Sequence, residues 1–274
     1  MILVGFCGTK AIMIIDNRRS ICHKVVYEVR YKYGFTYLDR CGSTINEIMN
    51  STDEEWEFYG REPDPQSAPL ISLRNGTRFN FSALKYDFAL EQKEDADKDI
   101  EKQDIDGFIE QVDLVSSIVN ERLSLNNFSR VGFRIWYLFA SRTREDSEVW
   151  ISQLLKTNDI DNSIAEALNG DVEAKSHVVV VASQDRKFRI SITGVESQAQ
   201  LNLVGGMVSI RKSKLSRGQD KYLKKQLKRA AKNPEFAVMF DIDSFVESPR
   251  DVDAKDFITE SLKQIEEKVP VAFK

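Results

Sequence analysis

The chain has few of the residues on which most chemical sites depend. Its 274 residues include three cysteines and two histidines. The cysteines, Cys7, Cys22 and Cys41, are odd in number, contain no C-x-x-C pair and all lie near the N-terminus. This pattern argues against a disulfide framework and favours a reducing compartment. We therefore expect a cytoplasmic protein.

The two histidines, His23 and His177, leave little material for catalysis or metal binding. No nucleophile elbow is present, and an acyl-transfer triad also needs a histidine beside its nucleophile. Cys22 and His23 are neighbours, but a zinc site would need distant ligands that the sequence does not indicate. Gly5–Lys10 contains two glycines and a lysine without the G-x4-G-K-[ST] spacing of a phosphate loop. We predict no cofactor and no metal, and a non-enzymatic protein is favoured over an enzyme.

Long apolar runs are also missing. No stretch approaches the ~18 uninterrupted apolar residues of a transmembrane helix. The apolar segment Met1–Asp16 has no basic residue ahead of it, is interrupted by Lys10 and precedes no small-residue cleavage site. It is typical of a strand rather than a signal peptide. We expect no membrane partner, and the formal net charge of −4 does not favour nucleic acid for the chain as a whole.

What the chain does contain is a regular order of strands and helices around a central strand, Phe128–Phe139. Alternation in this strand places two sets of side chains on opposite faces. One face carries Val131, Phe133, Ile135, Tyr137 and Phe139, and the other carries Arg130, Gly132, Arg134, Trp136 and Leu138.

The residue patterns on either side of this strand predict similar series of elements. Before it we predict a hairpin of Ala11–Asp16 and His23–Tyr33 around a turn at Asn17–Ser20, a helix at Tyr37–Met49, strands at Glu55–Tyr59, Pro69–Arg74, Arg78–Leu84 and Tyr86–Leu90 with an Asn75-Gly76 turn, and a helix at Gly107–Leu125. After it we predict a helix at Ser147–Lys156, a short helical piece near Ile164–Leu168, strands at His177–Ser183, Lys187–Val195, Met207–Arg211 and Phe236–Phe245, and a final helix from Ala254 to Val269 capped by Asp253.

This order predicts an α+β fold made of two similar halves, residues 1–127 and 128–274. Each half would be an antiparallel sheet with a long helix packed on one face, an internal repeat of helix-grip type. The repetition is in the order of elements and not in residue identity.

Three strand motifs carry a resemblance to a known group of proteins. They are Glu28-Val29-Arg30, Arg130-Val131-Gly132-Phe133-Arg134 and Asp241-Ile242-Asp243-Ser244-Phe245. In order and spacing they resemble a sporadically distributed family of uncharacterised bacterial proteins, which has E-[VI]-R, R-[VI]-G-x-R-Y and D-I-D-x-F strands. The chain departs from that pattern after Arg134, where Ile135 and Trp136 follow. The resemblance implies a bacterial origin and a two-part architecture, and it implies no activity.

The same motifs provide the first candidate site. It consists of ionisable residues that alternation places in pairs on single strand faces: Glu28 and Arg30, Arg130 and Arg134, and Asp241 and Asp243. Arginine and carboxylate groups suit bidentate pairing across strands, which would fix strand register. They could instead form a ligand site, with the arginines clamping an anion or the aspartates holding a cation. Two aspartates alone are too few for a metal site.

The second candidate is the segment Arg211–Lys232, which has ten basic residues and one acidic residue, Asp220. Its strong local positive field suits phosphate backbones or an acidic protein surface. A solvated helix face is the alternative, because charge runs are commonly exposed surfaces. The basic residues proposed to contact a partner are Arg211, Lys212, Lys214, Arg217, Lys221, Lys224, Lys225, Lys228 and Arg229.

Two functional hypotheses follow from these sites. The first is a non-enzymatic binding or assembly protein of a bacterial system, which engages a protein or a nucleic acid partly through the basic segment. The second is an enzyme or sensor for a phosphorylated small molecule held in a sheet cavity by the strand charges. A homo-oligomer is compatible with either hypothesis.

Overall fold

The chain folds as an α+β protein, and its described residues form one large antiparallel sheet and four helices. The computed structural model describes residues 11–32, 35–51, 56–59, 67–91, 99–156, 167, 176–183, 185–196 and 236–273. The strands are β1 (Ile14–Ile15), β2 (Arg18–Arg30), β3 (Trp56–Phe58), β4 (Ser67–Ser72), β5 (Arg78–Ser82), β6 (Lys85–Glu91), β7 (Arg130–Ser141), β8 (Ser176–Ala182), β9 (Lys187–Glu196) and β10 (Phe236–Glu247). The helices are α1 (Phe35–Ser51), α2 (Lys102–Leu123), α3 (Arg144–Leu155) and α4 (Ala254–Ala272).

All ten strands belong to a single sheet. Its order is β3-β4-β5-β6-β2-β7-β10-β9-β8, and β1 pairs with β2 outside this path. The three longest strands, β2, β7 and β10, are adjacent at the centre. Their register aligns Glu28 with Gly132 and Phe245, and Arg134 with Asp243. Residues from three distant parts of the sequence therefore share one strip of sheet surface.

The four helices pack on one face of this sheet, which we call the covered face. A residue of each helix contacts this face: Tyr37 of α1 stacks edge-on against Phe81, Asn120 of α2 bonds Tyr86, Trp150 of α3 contacts Phe139, and Phe257 of α4 contacts Tyr27. The strand residues involved are fully buried. The predicted apolar face of the central strand lies here, with Val131, Phe133, Ile135, Tyr137 and Phe139 all buried. Burial of these rings and branched chains is the main favourable contribution to the core.

Turn chemistry explains one error and one success of the sequence predictions. The turn predicted at Asn17–Ser20 is wrong, because Asp16 and Asn17 form it and β2 begins at Arg18. Both turn residues have positive φ, 49° and 60°, which suits a two-residue hairpin loop. The predicted Asn75-Gly76 turn is confirmed: Gly76 has a φ of 79°, and Asn75 Oδ1 accepts a hydrogen bond from Thr77 N at 2.8 Å.

The helices match their predicted positions within a few residues, and Asp253 caps α4 by accepting from Asp256 N at 2.8 Å. The strand predicted at Met207–Arg211 lies outside the described residues, as does all but Ala167 of the piece near Ile164–Leu168. Within the described part of the chain, none of the helices has the length and apolar character needed to cross a membrane.

Candidate functional site

The face opposite the helices, which we call the open face, carries most of the charge of the sheet. Strand alternation and register place the following residues there: Lys24, Glu28 and Arg30 of β2; Arg130, Gly132, Arg134 and Trp136 of β7; Asp241, Asp243 and Phe245 of β10; Lys187 and Arg189 of β9; and Lys85 and Asp87 of β6. All six strand charges predicted from the sequence therefore lie on one surface.

Arg130, on β7, bonds to both neighbouring strands. Its Nη1 donates to Glu28 Oε1 at 3.1 Å on β2, and its Nη2 donates to Asp243 Oδ2 at 2.6 Å on β10. Planar guanidinium groups can make two such bonds at once because their donors are fixed in a fork. One side chain thus connects segments about one hundred residues apart in each direction.

Two neighbours let the Arg130 side chain lie flat against the sheet. Gly132 has no side chain, and a Cβ atom there would lie 2.8 Å from Arg130 Nη1. Phe245 presents its ring to the other side of the group, with the Arg130 Cζ 4.6 Å from the ring centre. Gly132 and Phe245 belong to the same motifs as the charged residues, and this contact gives both of them a physical role.

Arg134 forms the second strong pair. Its Nε donates to Asp241 Oδ1 at 2.5 Å and its Nη2 donates to Asp241 Oδ2, which makes the pair bidentate. Trp136 Nε1 donates to the same Oδ1 at 2.9 Å. Within the described residues, Arg134 Nη1 has no such partner. It is available to a ligand at the surface.

Further cations surround these pairs. Lys85 Nζ contacts Glu28 Oε2 at 2.8 Å and Asp87 Oδ1 at 2.9 Å, and Arg30 Nε contacts Glu28 Oε1 at 2.7 Å. Lys24 Nζ lies 4.8 Å from the centre of the Trp136 ring. We call Glu28, Arg130, Arg134, Asp241 and Asp243 the ion-pair cluster.

In two of these pairs the carboxylate is more shielded than its cation, whereas Arg130 and Asp243 are both largely buried, at 19% and 13% exposed. The Asp241 side chain is 7% exposed while Arg134 is 38% exposed. Glu28 is 15% exposed while Arg30 is 53% exposed. At these two pairs the long arginine side chain lies outside the shorter acidic one. Elsewhere on the open face the order is reversed, because Glu247 is 56% exposed against 41% for Lys187, and Glu91 is 31% exposed against 21% for Lys24.

The electrostatics of the carboxylates follow from this shielding. Burial raises the pKa of Asp243, and it outweighs the lowering effect of Arg130 and Arg134. Burial acts in the same direction on Glu28, but Lys85 and Arg30 outweigh it and hold the pKa of Glu28 below its usual value. The hydrogen bond to Asp241 raises the pKa of Arg134 further, despite the opposing effect of burial. Arg134 therefore stays charged at any physiological pH.

This arrangement suits anion binding better than cation binding. Both oxygens of Asp241 already accept bonds, and Glu28 is shared among three cations. No group of three potential metal-ligating side chains occurs among the residues that the structure describes. The side chains of Arg30 and Arg134, in contrast, are 53% and 38% exposed.

Sequence reasoning missed several members of the site. Trp136, Lys85 and Arg189 were not among the predicted site residues, and Gly132 was noted only as part of a motif. Alternation in the central strand could have identified Gly132 and Trp136, since they share a face with the two arginines. Lys85 and Arg189 gave no such signal, because their positions depend on the registers of β6 with β2 and of β9 with β10.

The second predicted site, the basic segment Arg211–Lys232, lies outside the described residues. Its proposed contact residues stay a prediction. A cavity of about 430 Å³ lies between α2 and the turn after β4, and Trp56, Asn75 and Gln111 are among its lining residues. None of the six predicted strand charges lines it.

Comparison with known proteins gives no family assignment, because no protein-family model matches the chain and a search of curated proteins finds no match.

Proposed function

We propose that the chain is a non-enzymatic binding protein of a bacterial system, and that the open face of its sheet holds an anionic partner. The observation that carries this proposal is the layering of charge in the ion-pair cluster. At Glu28 and Asp241 the carboxylates lie beneath and the guanidinium groups of Arg30 and Arg134 lie above, so a partner at the centre of the face would meet positive charge. A local field of this kind attracts anions even when the whole chain is slightly acidic.

The proposal includes the two-part architecture. The element order β2-α1-β3-β4-β5-β6-α2 resembles the order β7-α3-β8-β9-β10-α4, and the strands that begin the two series are paired at the centre. Residues 1–127 and 128–274 would then be related halves of helix-grip type. On this basis the ion-pair cluster spans their junction, since Glu28 comes from one half and Arg130 and Asp243 come from the other.

The alternative, an enzyme or sensor for a phosphorylated small molecule, is less well supported. Such a site usually encloses most of its ligand in a concave pocket. The strand charges lie instead on an open sheet surface, and Arg130 is already occupied by two carboxylates. A broad surface contact with a larger partner fits this geometry better.

The basic segment Arg211–Lys232 would add to the same field. It follows β9 and precedes β10, and the ends of these strands are adjacent because Glu196 pairs with Phe236.

Heparin chromatography tests the proposal with a generic polyanion. Arg30 and Arg189 are exposed on the open face, and Arg189 forms no ion pair within the described part of the chain. Replacing both with glutamine should lower the salt concentration needed for elution. The matched control replaces Lys263 and Lys268, which are exposed on α4, and removes the same charge from the other side of the molecule.

The expected result is a clear shift for the Arg30→Gln/Arg189→Gln variant and little shift for the Lys263→Gln/Lys268→Gln variant. A third variant replaces Lys224, Lys225, Lys228 and Arg229 with glutamate. Its elution shift measures how much of the heparin affinity comes from the basic segment. Equal shifts for the first two variants would show that only net charge matters. The proposed role of the open face would then be wrong.

A further inference from the structure

The geometry of the open face points to a specific partner: we propose that it binds the phosphate backbone of duplex DNA, with little sequence preference. This inference rests on the proposed function and names its partner. It draws on the chemistry at the centre of the face, on the state of its aromatic residues and on the spread of its cations.

The centre of the open face is charged, unlike the apolar core of a protein interface. Protein interfaces have apolar cores depleted in charged residues. Protein–DNA interfaces are more polar and much more positively charged. Here the centre consists of Arg130, Arg134 and their carboxylate partners, and it is flanked by Arg30 and Lys85.

Aromatic rings on this face are already covered by cations. Arg130 lies over Phe245, Arg78 lies 4.7 Å from the centre of the Tyr59 ring, and both Arg134 and Lys24 lie over Trp136. Proteins that bind single strands stack successive bases on free aromatic faces. Since these rings are occupied, the face suits phosphates and not unstacked bases.

The cations extend far enough to follow a duplex. Arg78 lies on β5 and Arg189 lies on β9, and five strand intervals separate them in the order β5-β6-β2-β7-β10-β9. At ~4.8 Å per interval the row spans about 24 Å, close to the length of ~7 base pairs at 3.4 Å each. Lys85, Arg30 and Arg134 occupy strands between the two ends.

Shielding of the carboxylates favours DNA as the duplex. Proteins distinguish RNA by its 2′-hydroxyl, which donates and accepts hydrogen bonds. On the open face the acceptors Asp241 and Glu28 are 7% and 15% exposed, so the arginine donors are the more accessible groups at its centre. Contacts from these donors to phosphate do not require a 2′-hydroxyl, and B-form duplex DNA is the partner that we infer.

Fluorescence anisotropy with a labelled duplex of roughly 24 base pairs tests the inference, with titrations of the full chain from about 50 to 200 mM salt. For wild type, log Kd should rise linearly with log salt. The Arg30→Gln/Arg189→Gln variant should bind more weakly, and its slope should fall by about 2, because each lost phosphate contact removes about 0.9 from it. The Lys263→Gln/Lys268→Gln control should match wild type.

Competitors complete the test. Unlabelled duplex DNA of unrelated sequence should compete as well as the labelled sequence, and single-stranded DNA of the same length should compete at least tenfold less well. The inference is overturned if single-stranded DNA, duplex RNA or poly-glutamate competes better than duplex DNA, or if the two double variants have equal slopes. If the wild-type chain does not bind the duplex but the two double variants still differ in heparin elution, duplex DNA is the wrong partner and the proposed function stands. If neither result is obtained, the proposed function is wrong too.

Discussion

Replacing Gly132 with alanine would test how Arg130 is held on the sheet. The new Cβ atom would lie 2.8 Å from Nη1 of Arg130 and 3.1 Å from its Cζ. Both distances are shorter than a normal van der Waals contact. Because the guanidinium is the end of a flexible side chain, we expect it to swing away while the backbone stays in place. Arg130 would then lose its bonds to Glu28 and Asp243.

The expected loss can be worked from these contacts. A hydrogen bond to a charged group contributes about 1.5–3 kcal/mol, and solvent screening of a partly exposed pair reduces this, so we take about 2–3 kcal/mol for both bonds together. Alanine is favoured over glycine inside a strand by about 0.5–1 kcal/mol. The net destabilisation is about 1–2.5 kcal/mol, and at roughly 2–4 °C per kcal/mol in a chain of this length the Tm should fall by about 2–10 °C.

Urea unfolding followed by tryptophan fluorescence would measure this change. Gly42→Ala in α1 is the matched control, because a Cβ atom there meets nothing within 4 Å. It should stabilise the protein by about 0.5–1 kcal/mol. In an Arg130→Ala background, Gly132→Ala should no longer destabilise, since the group it displaces is gone. The same loss in both backgrounds would refute the explanation.

Three other substitutions have definite expected outcomes. Tyr137→Phe should raise the free energy of unfolding by about 1 kcal/mol, because its fully buried hydroxyl has no hydrogen-bond partner among the residues that the structure describes. A lower free energy of unfolding would contradict this. Asp241→Asn should lower the free energy of unfolding by about 1–3 kcal/mol, a range that allows for hydration of the partly exposed Arg134. An unchanged free energy of unfolding would show that the Arg134–Asp241 pair does not stabilise the fold. Burial raises the pKa of Glu28, but Lys85 and Arg30 outweigh it and hold this pKa below 4.5. The ionised carboxylate therefore stabilises the fold above pH 4.5, and this contribution is lost as the pH falls through the lower pKa of the folded state. Glu28→Gln should therefore show a smaller loss of stability than wild type between about pH 5 and 3, and parallel curves would contradict the assignment.

Local patterns predicted the elements well and their pairing poorly. The Asn75-Gly76 turn is recognisable because glycine supplies the positive φ that the turn requires. Asp16 and Asn17 also adopt positive φ. Because the residues that follow them are polar too, the turn was predicted a little later in the sequence, where β2 has already begun. The alternation of side chains in the sequence also does not indicate the irregularity in β2, where the register with β7 shifts between Cys22 and Lys24.

The candidate site depends on contacts that no local pattern contains. Periodicity placed Arg130 and Arg134 on one strand face, but their partners are about one hundred residues away in sequence. Register between β2, β7 and β10 decides which carboxylate each arginine meets. The layering of shielded acids under exposed cations follows from side-chain length and burial, and the sequence alone does not reveal it.

Lysine footprinting of the DNA complex would test most directly whether the open face is the binding surface. Lysine acetylation is measured by mass spectrometry with and without a saturating duplex. We predict that Lys85 and Lys187 on the open face lose reactivity, while Lys263 and Lys268 on α4 keep it. Protection of the α4 lysines instead, or protection confined to lysines between positions 212 and 232, would contradict the account.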